Sequence, residues 1–116
     1  MSGAAANWSV RLSEAAERDV RDIAVWTHYT FGAAQAERYV DALSLTLDRL
    51  LHGPRVPGVR QHAEIDADLF SLRVRIKRRR GPHLIFFRVN QREIVVLRIL
   101  HDAMDLDRHV AGEDDA

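Results

Sequence analysis

The feature that most constrains this chain is a change of hydrophobic period near residue 69. Upstream, apolar side chains recur every three to four positions, the spacing of one helix face; downstream they recur every second position, the spacing of one strand face. A chain that switches there from 3.6 to 2 has a mainly helical half and a sheet half. Each half carries an apolar surface it can bury only against the other.

In the helical half, Ser13 offers an N-cap, and Glu14 and Glu17 fall in the first turn, where the helix dipole favours carboxylates. Ala16, Val20, Ile23, Ala24 and Thr27 then follow at helical spacing, which predicts an amphipathic helix over 14–30. Phe31-Gly32 breaks it. A second helix starts near Ala33, with Ala36, Val40, Leu43, Leu47 and Leu50 on one face and Tyr39 and Leu51 beside it. Gly53-Pro54 ends it, since glycine suits a left-handed cap and proline cannot continue a helix. So short a connection makes the two helices an antiparallel hairpin. Ahead of them, Trp8, Val10 and Leu12 alternate with Ser9 and Arg11 as a short half-buried strand.

Residues 54–68, with Pro54, Pro57, Gly58 and the acids Glu64, Asp66 and Asp68, read as a loop. Phe70, Leu72, Val74 and Ile76 then alternate with Ser71, Arg73, Arg75 and Lys77, a strand with one dry and one strongly basic face. Arg79-Arg80-Gly81-Pro82 reads as a turn, Leu84 to Val89 as a central strand, Asn90 to Arg92 as a second turn, and Glu93 to Leu100 as the last strand. A short helical or irregular segment with Met104, Leu106 and Val110 follows. The expected architecture is α+β in two layers, β-α-α-β-β-β, with the helix hairpin packed on an antiparallel sheet meander. At 116 residues there is room for a single core. The expected division is a flexible N-terminus over 1–7, one domain over 8–110 and an acidic tail over 111–116.

Composition removes several classes of function. With no cysteine there are no disulfides, thiolate metal sites, iron–sulfur clusters or cysteine nucleophiles. No apolar run reaches the roughly 18 residues of a membrane span, and Met1 to Ala6 lack a basic n-region and a long h-region, so a soluble cytoplasmic protein without a membrane partner is expected. No glycine-rich phosphate loop, nucleophile elbow or paired-carboxylate motif is present, and no cofactor is implied.

The formal net charge of zero conceals a strong asymmetry. Residues 1–68 hold seven basic and ten acidic side chains, residues 69–101 nine basic against Glu93 alone, and residues 102–116 Arg108 against six acids. Arg73, Arg75, Lys77, Arg78, Arg79 and Arg80 place six cations in eight residues. Two readings stand: a face that tracks phosphates or a carboxylate-rich partner, and a solvated hairpin with basic edges. Little aromatic interleaving argues against single-strand stacking. His101, Asp102 and Asp105 form a loose group whose spacing fits structural or capping roles better than metal ligation, so no metal site is assigned. Asp19 and Asp22 fall on what reads as the solvent side of the first helix.

Two stretches carry a family resemblance. Val10 to Ile23 (VRLSEAAERDVRDI), and His83 to Val89 (HLIFFRV) followed by Ile94 to Asp105 (IVVLRILHDAMD) and closed by His109-Val110, resemble the ParE branch of the RelE/ParE toxins of bacterial type II toxin–antitoxin modules. The similarity covers residues 10–110. It implies a growth-arresting toxin that acts by binding DNA gyrase, without catalysis of its own. It also implies a ParD-like antitoxin partner whose C-terminal segment folds on the toxin, in a hetero-oligomeric complex that reaches DNA only through the antitoxin. By that resemblance the antitoxin contacts are Trp26, Tyr29, Arg73, Arg75 and Arg98. Tyr39 is a further candidate, for which core packing is the stronger reading. The gyrase contacts are Leu100, His101, Met104 and Asp105.

A RelE-like, ribosome-dependent endoribonuclease is the alternative, with Arg73 and Arg98 at the scissile phosphate and His101 as acid or base. Against it, no tyrosine follows Tyr39, and Lys77 is the only lysine. A third reading is a module that has lost toxicity and only binds its antitoxin.

Overall fold

A computed structural model describes residues 7–101 of the chain. The elements are β1 (Ser9–Leu12), α1 (Glu14–Phe31), α2 (Ala33–Arg49), β2 (Arg60–Gln61), β3 (Leu69–Ile76), β4 (Arg79–Asn90) and β5 (Glu93–His101), with a 3-10 turn over Leu50–His52 extending α2. They form two helices on one five-stranded mixed sheet of order β1-β5-β4-β3-β2. The β3–β4–β5 meander is antiparallel, as expected. β1 closes the far edge by pairing in parallel with β5, a partner the sequence pattern did not name.

Local chemistry explains the helix boundaries. Ser13 caps α1: its Oγ accepts from the Ala16 amide at 3.0 Å and donates to the Leu97 carbonyl at 2.8 Å, so one hydroxyl starts the helix and ties it to β5. Gly32, at φ +95°, ends α1 with its amide on the His28 carbonyl and at once opens α2. α1 lies over β5 and α2 over β3. Between the layers, Ile23, Tyr39, Leu43 and Leu50 pack on Leu72, Ile85, Phe87 and Val96 in the main core.

Three local expectations are corrected. The turn after β3 falls on Lys77-Arg78, not on Arg79 to Pro82; Ile76 pairs with Arg79 across a two-residue loop, and Lys77 adopts φ 57°. Gly81-Pro82 lies inside β4 instead, where the β3–β4 register shifts between Arg73 and Arg75 and relaxes the demand for a proline amide. Gly81 serves a close approach there: a Cβ would stand 2.9 Å from the Val74 carbonyl oxygen and 3.0 Å from the Tyr39 hydroxyl.

The face of the sheet away from the helices is not uniformly basic. It carries a second apolar cluster of Leu69, Phe86, Leu97 and Leu100, against which Ile65, Leu84 and Val95 pack. The loop over 62–69 is ordered by bonds from the Ile65 and Asp66 amides to the His62 carbonyl and from the Leu69 amide to the Asp66 carbonyl.

The third correction concerns Asp19. It does not face solvent: its carboxylate receives Arg98 Nε at 2.8 Å, Arg98 Nη2 at 3.0 Å and the Ile99 amide at 2.8 Å. The β4–β5 register shift leaves Leu97 unmatched between the Phe86↔Arg98 and Phe87↔Val96 pairs. Leu97 thus joins the second cluster, and Arg98 reaches back to α1.

Candidate functional site

Two concave surfaces among the described residues, on different parts of the fold, hold expected site residues. The first is a groove of about 540 Å³ along the helix hairpin, lined by Val25, His28 and Tyr29 of α1 and by Ala36, Val40 and Asp41 of α2. Further exposed apolar side chains stand on the same two helices. Trp26 lies three residues from Tyr29, and Leu45 lies one turn beyond Asp41. Val25, Trp26, Tyr29, Phe31 and Leu45 are 55–85% exposed, an apolar concentration unusual on a lone small domain. Trp26 and Phe31 meet edge to face at 5.8 Å, which holds the indole out over the surface.

The second is a cleft of about 260 Å³ where the end of α2, β2 and β3 meet, lined by Arg49, Arg60, Arg73, Arg75 and Arg80. Its floor is a buried polar pair, His62 Nε2 and Ser71 Oγ at 2.7 Å, with the imidazole tilted against Phe86. Arg73 is half-buried and donates from Nη1 to the Gly81 carbonyl at 2.9 Å; Arg49 donates to the Pro57 carbonyl. At the rim, Glu64 lies 3.5 Å from His62 Nδ1. Its carboxyl is held below the usual range, first by its own backbone amide and then by His62 and Arg60, against the opposing effect of desolvation.

The structure distributes the expected site residues over several places. Tyr29 lines the hairpin groove, and Trp26 is exposed on the same helix outside that lining. Arg73 and Arg75 belong to the cleft. Arg98 belongs to neither, its guanidinium being engaged by Asp19. Tyr39 is a core residue whose hydroxyl meets His83 Nδ1 at 2.8 Å. Leu100 is buried in the second cluster, while His101 is exposed at the end of β5 with its ring 5.6 Å from that of His83. Met104 and Asp105 lie outside the described residues. Arg49, Arg60, His62 and Ser71 were missed because the cleft is assembled across the stretch read as a loop. Among the described residues, no group of three His, Asp or Glu side chains is placed to hold a metal ion, and no helix is long and apolar enough to cross a membrane.

Comparison with known proteins agrees with this architecture. The family described as ParE toxin of type II toxin-antitoxin system, parDE, matches residues 10–106. Toxin ParE1 of Mycobacterium tuberculosis (strain H37Rv) is 34% identical over 100 residues, spanning 85% of this chain and 94% of that protein. Toxin ParE1 of Caulobacter vibrioides is 31% identical over 101 residues, spanning 86% and 95%. Among solved structures, a chain of the chromosomal ParDE system from P. aeruginosa superposes with a TM-score of 0.58 at 23% identity, covering 84% of this chain and 98% of that one. A chain of the RelBE2 toxin-antitoxin complex from Mycobacterium tuberculosis superposes with a TM-score of 0.57 at 21% identity, covering 81% and 96%. These two likenesses establish the shared fold. The match over residues 10–106 and the two ParE1 relatives establish the family: this chain belongs to the ParE toxins of type II toxin–antitoxin systems.

Proposed function

We propose that this toxin arrests growth in the cytoplasm by binding DNA gyrase, without chemistry of its own, and that a ParD-like antitoxin neutralises it by seating an amphipathic segment in the hairpin groove. The observation that carries the antitoxin reading is the groove itself. Val25 and Tyr29, four residues apart on its wall, offer apolar anchors at the helical spacing that a docked helix reads, and exposed Trp26 and Leu45 add apolar surface on the same two helices. The ParDE and RelBE2 structures with this fold are toxin–antitoxin systems, which supports such a partner. Against the endoribonuclease alternative, Arg98, one of its two cations for a scissile phosphate, is spent on Asp19. For gyrase we place the contact at His101 and the residues after it.

ATP-dependent supercoiling by purified gyrase tests the reading. Inhibition by the toxin, relieved by stoichiometric antitoxin, is expected. No inhibition at micromolar toxin, together with cleavage of mRNA on translating ribosomes, would overturn it in favour of the endoribonuclease.

A further inference from the structure

The resemblance gave Arg73 and Arg75 to the antitoxin, but the segment proposed above is seated in the hairpin groove, and the composition of the arginine cleft is costly for a protein with no ligand there. Arg75 and Arg80 are direct cross-strand partners, and like charges so placed destabilise a sheet. On the neighbouring strand Arg60 pairs with Ser71, which sets it diagonally across from Arg73. None of the described residues lining the cleft is a carboxylate. Two of its five guanidiniums are oriented by backbone carbonyls, those of Arg73 and Arg49, while Arg60, Arg75 and Arg80 are exposed and able to reach outward. The cationic row continues past the cleft through Lys77, Arg78 and Arg79 at the hairpin tip, all exposed. Arg73 and Arg75 are alternate residues of β3 with the register shift between them, and Arg79 and Arg80 add charge from the start of β4.

We propose that this cleft and the adjoining β3–β4 hairpin bind the phosphodiester backbone of duplex nucleic acid directly, in the free toxin. The ligand class follows from the lining. Guanidiniums match the oxygens of a phosphate bidentately. A peptide would need apolar anchors, and the cleft offers only buried Leu72 and half-buried Leu84. A single strand would need aromatic platforms, and no Phe, Tyr or Trp lines the cleft. A duplex backbone needs neither, because phosphate contacts position without reading bases. DNA would thus be reached by the toxin itself as well as through the antitoxin, and the inference stands independently of the gyrase target.

The test is fluorescence anisotropy of a labelled duplex of about 20 bp titrated with the purified full chain from about 50 to 200 mM salt. Four phosphates neutralised give a slope of about −4 in log affinity against log salt. R75A/R80A is expected to reduce that slope by about 2 and to weaken binding at least about tenfold at the lower salt. It is also expected to raise the midpoint of thermal unfolding, because it removes a like-charge pair. R18A/R21A, which removes the same charge from exposed positions of α1, is expected to leave DNA binding unchanged. The inference is overturned if no duplex binding occurs at the lower salt, or if both double variants lose it equally. It is overturned also if a single-stranded RNA of equal length, or a polyglutamate peptide, binds more tightly than the duplex. Gyrase inhibition measured on the same variants keeps failure of this inference separate from failure of the toxin mechanism.

Discussion

At the scale of single residues, the Asp19–Arg98 pair ties the two layers together. The side chains are 12% and 17% exposed, and the carboxylate also holds the Ile99 amide, so one acid serves three donors across the α1–β5 interface. Removing it takes two charge-assisted bonds from a largely buried guanidinium and the acceptor from the Ile99 amide. D19A is therefore expected to destabilise by about 3 kcal/mol, read as a lower urea midpoint at unchanged slope. Replacing both partners, D19L/R98M, is expected to recover most of that loss. If D19A unfolds at the wild-type midpoint, the pair contributes nothing. Ser13 has a parallel role, and S13A is expected to cost about 1–2 kcal/mol through the lost cap and the orphaned Leu97 carbonyl. The cap was legible in sequence, because a serine before a helical run with acids in its first turn is a local signal. The Asp19 partner was not. It depends on a strand irregularity 79 residues away that turns Arg98 toward α1.

At the scale of elements, the ordered loop over 62–69 is the part the sequence disclosed least. Its acids and prolines read as irregular chain, yet Ile65 packs on the second cluster and Asp66 clamps Arg88 at 2.9 Å. The Asp68 amide donates to Asp66 Oδ1 at 2.8 Å, and this bond, then Arg88, holds the Asp66 carboxyl below its ordinary value of 3.8. A lowered folded value means that the clamp is fully present above the unfolded pKa and is lost as pH falls through the folded one. NMR titration is expected to place the Asp66 inflection below 3.8, with the Asp68 amide shift following the same curve. An Asp68 amide that ignores that titration would remove the clamp from the account. Apart from β2, which fell in the stretch read as a loop, the strands were legible, from period-2 alternation or from a continuous apolar run. The turn between β3 and β4 was misplaced because Gly81 and Pro82 looked like punctuation. In the fold they serve a tight helix contact and a ladder irregularity.

At the scale of the whole molecule, the described residues leave an apolar surface uncovered on the side of the helix hairpin that the sheet does not occupy. The two-layer packing was legible because the helix pair and β3 each show an apolar stripe to bury, whereas the second cluster on the outer sheet face was not. The parallel docking of β1 was not, because four residues with ordinary alternation do not name their neighbour. Exposed side chains contribute little to folding, so W26A/L45E is expected to change unfolding free energy by no more than about 0.5 kcal/mol. A buried aromatic anchor at the centre of an interface is worth about 2 kcal/mol or more, so the same variant is expected to bind antitoxin at least about 30-fold more weakly by titration calorimetry. If the gyrase contact lies at the end of β5 and beyond, the variant still inhibits supercoiling, and antitoxin no longer relieves that inhibition at stoichiometric amounts. Wild-type antitoxin affinity in W26A/L45E would move the antitoxin off the hairpin. Loss of gyrase inhibition by a variant that remains folded would mean that the hairpin serves both partners.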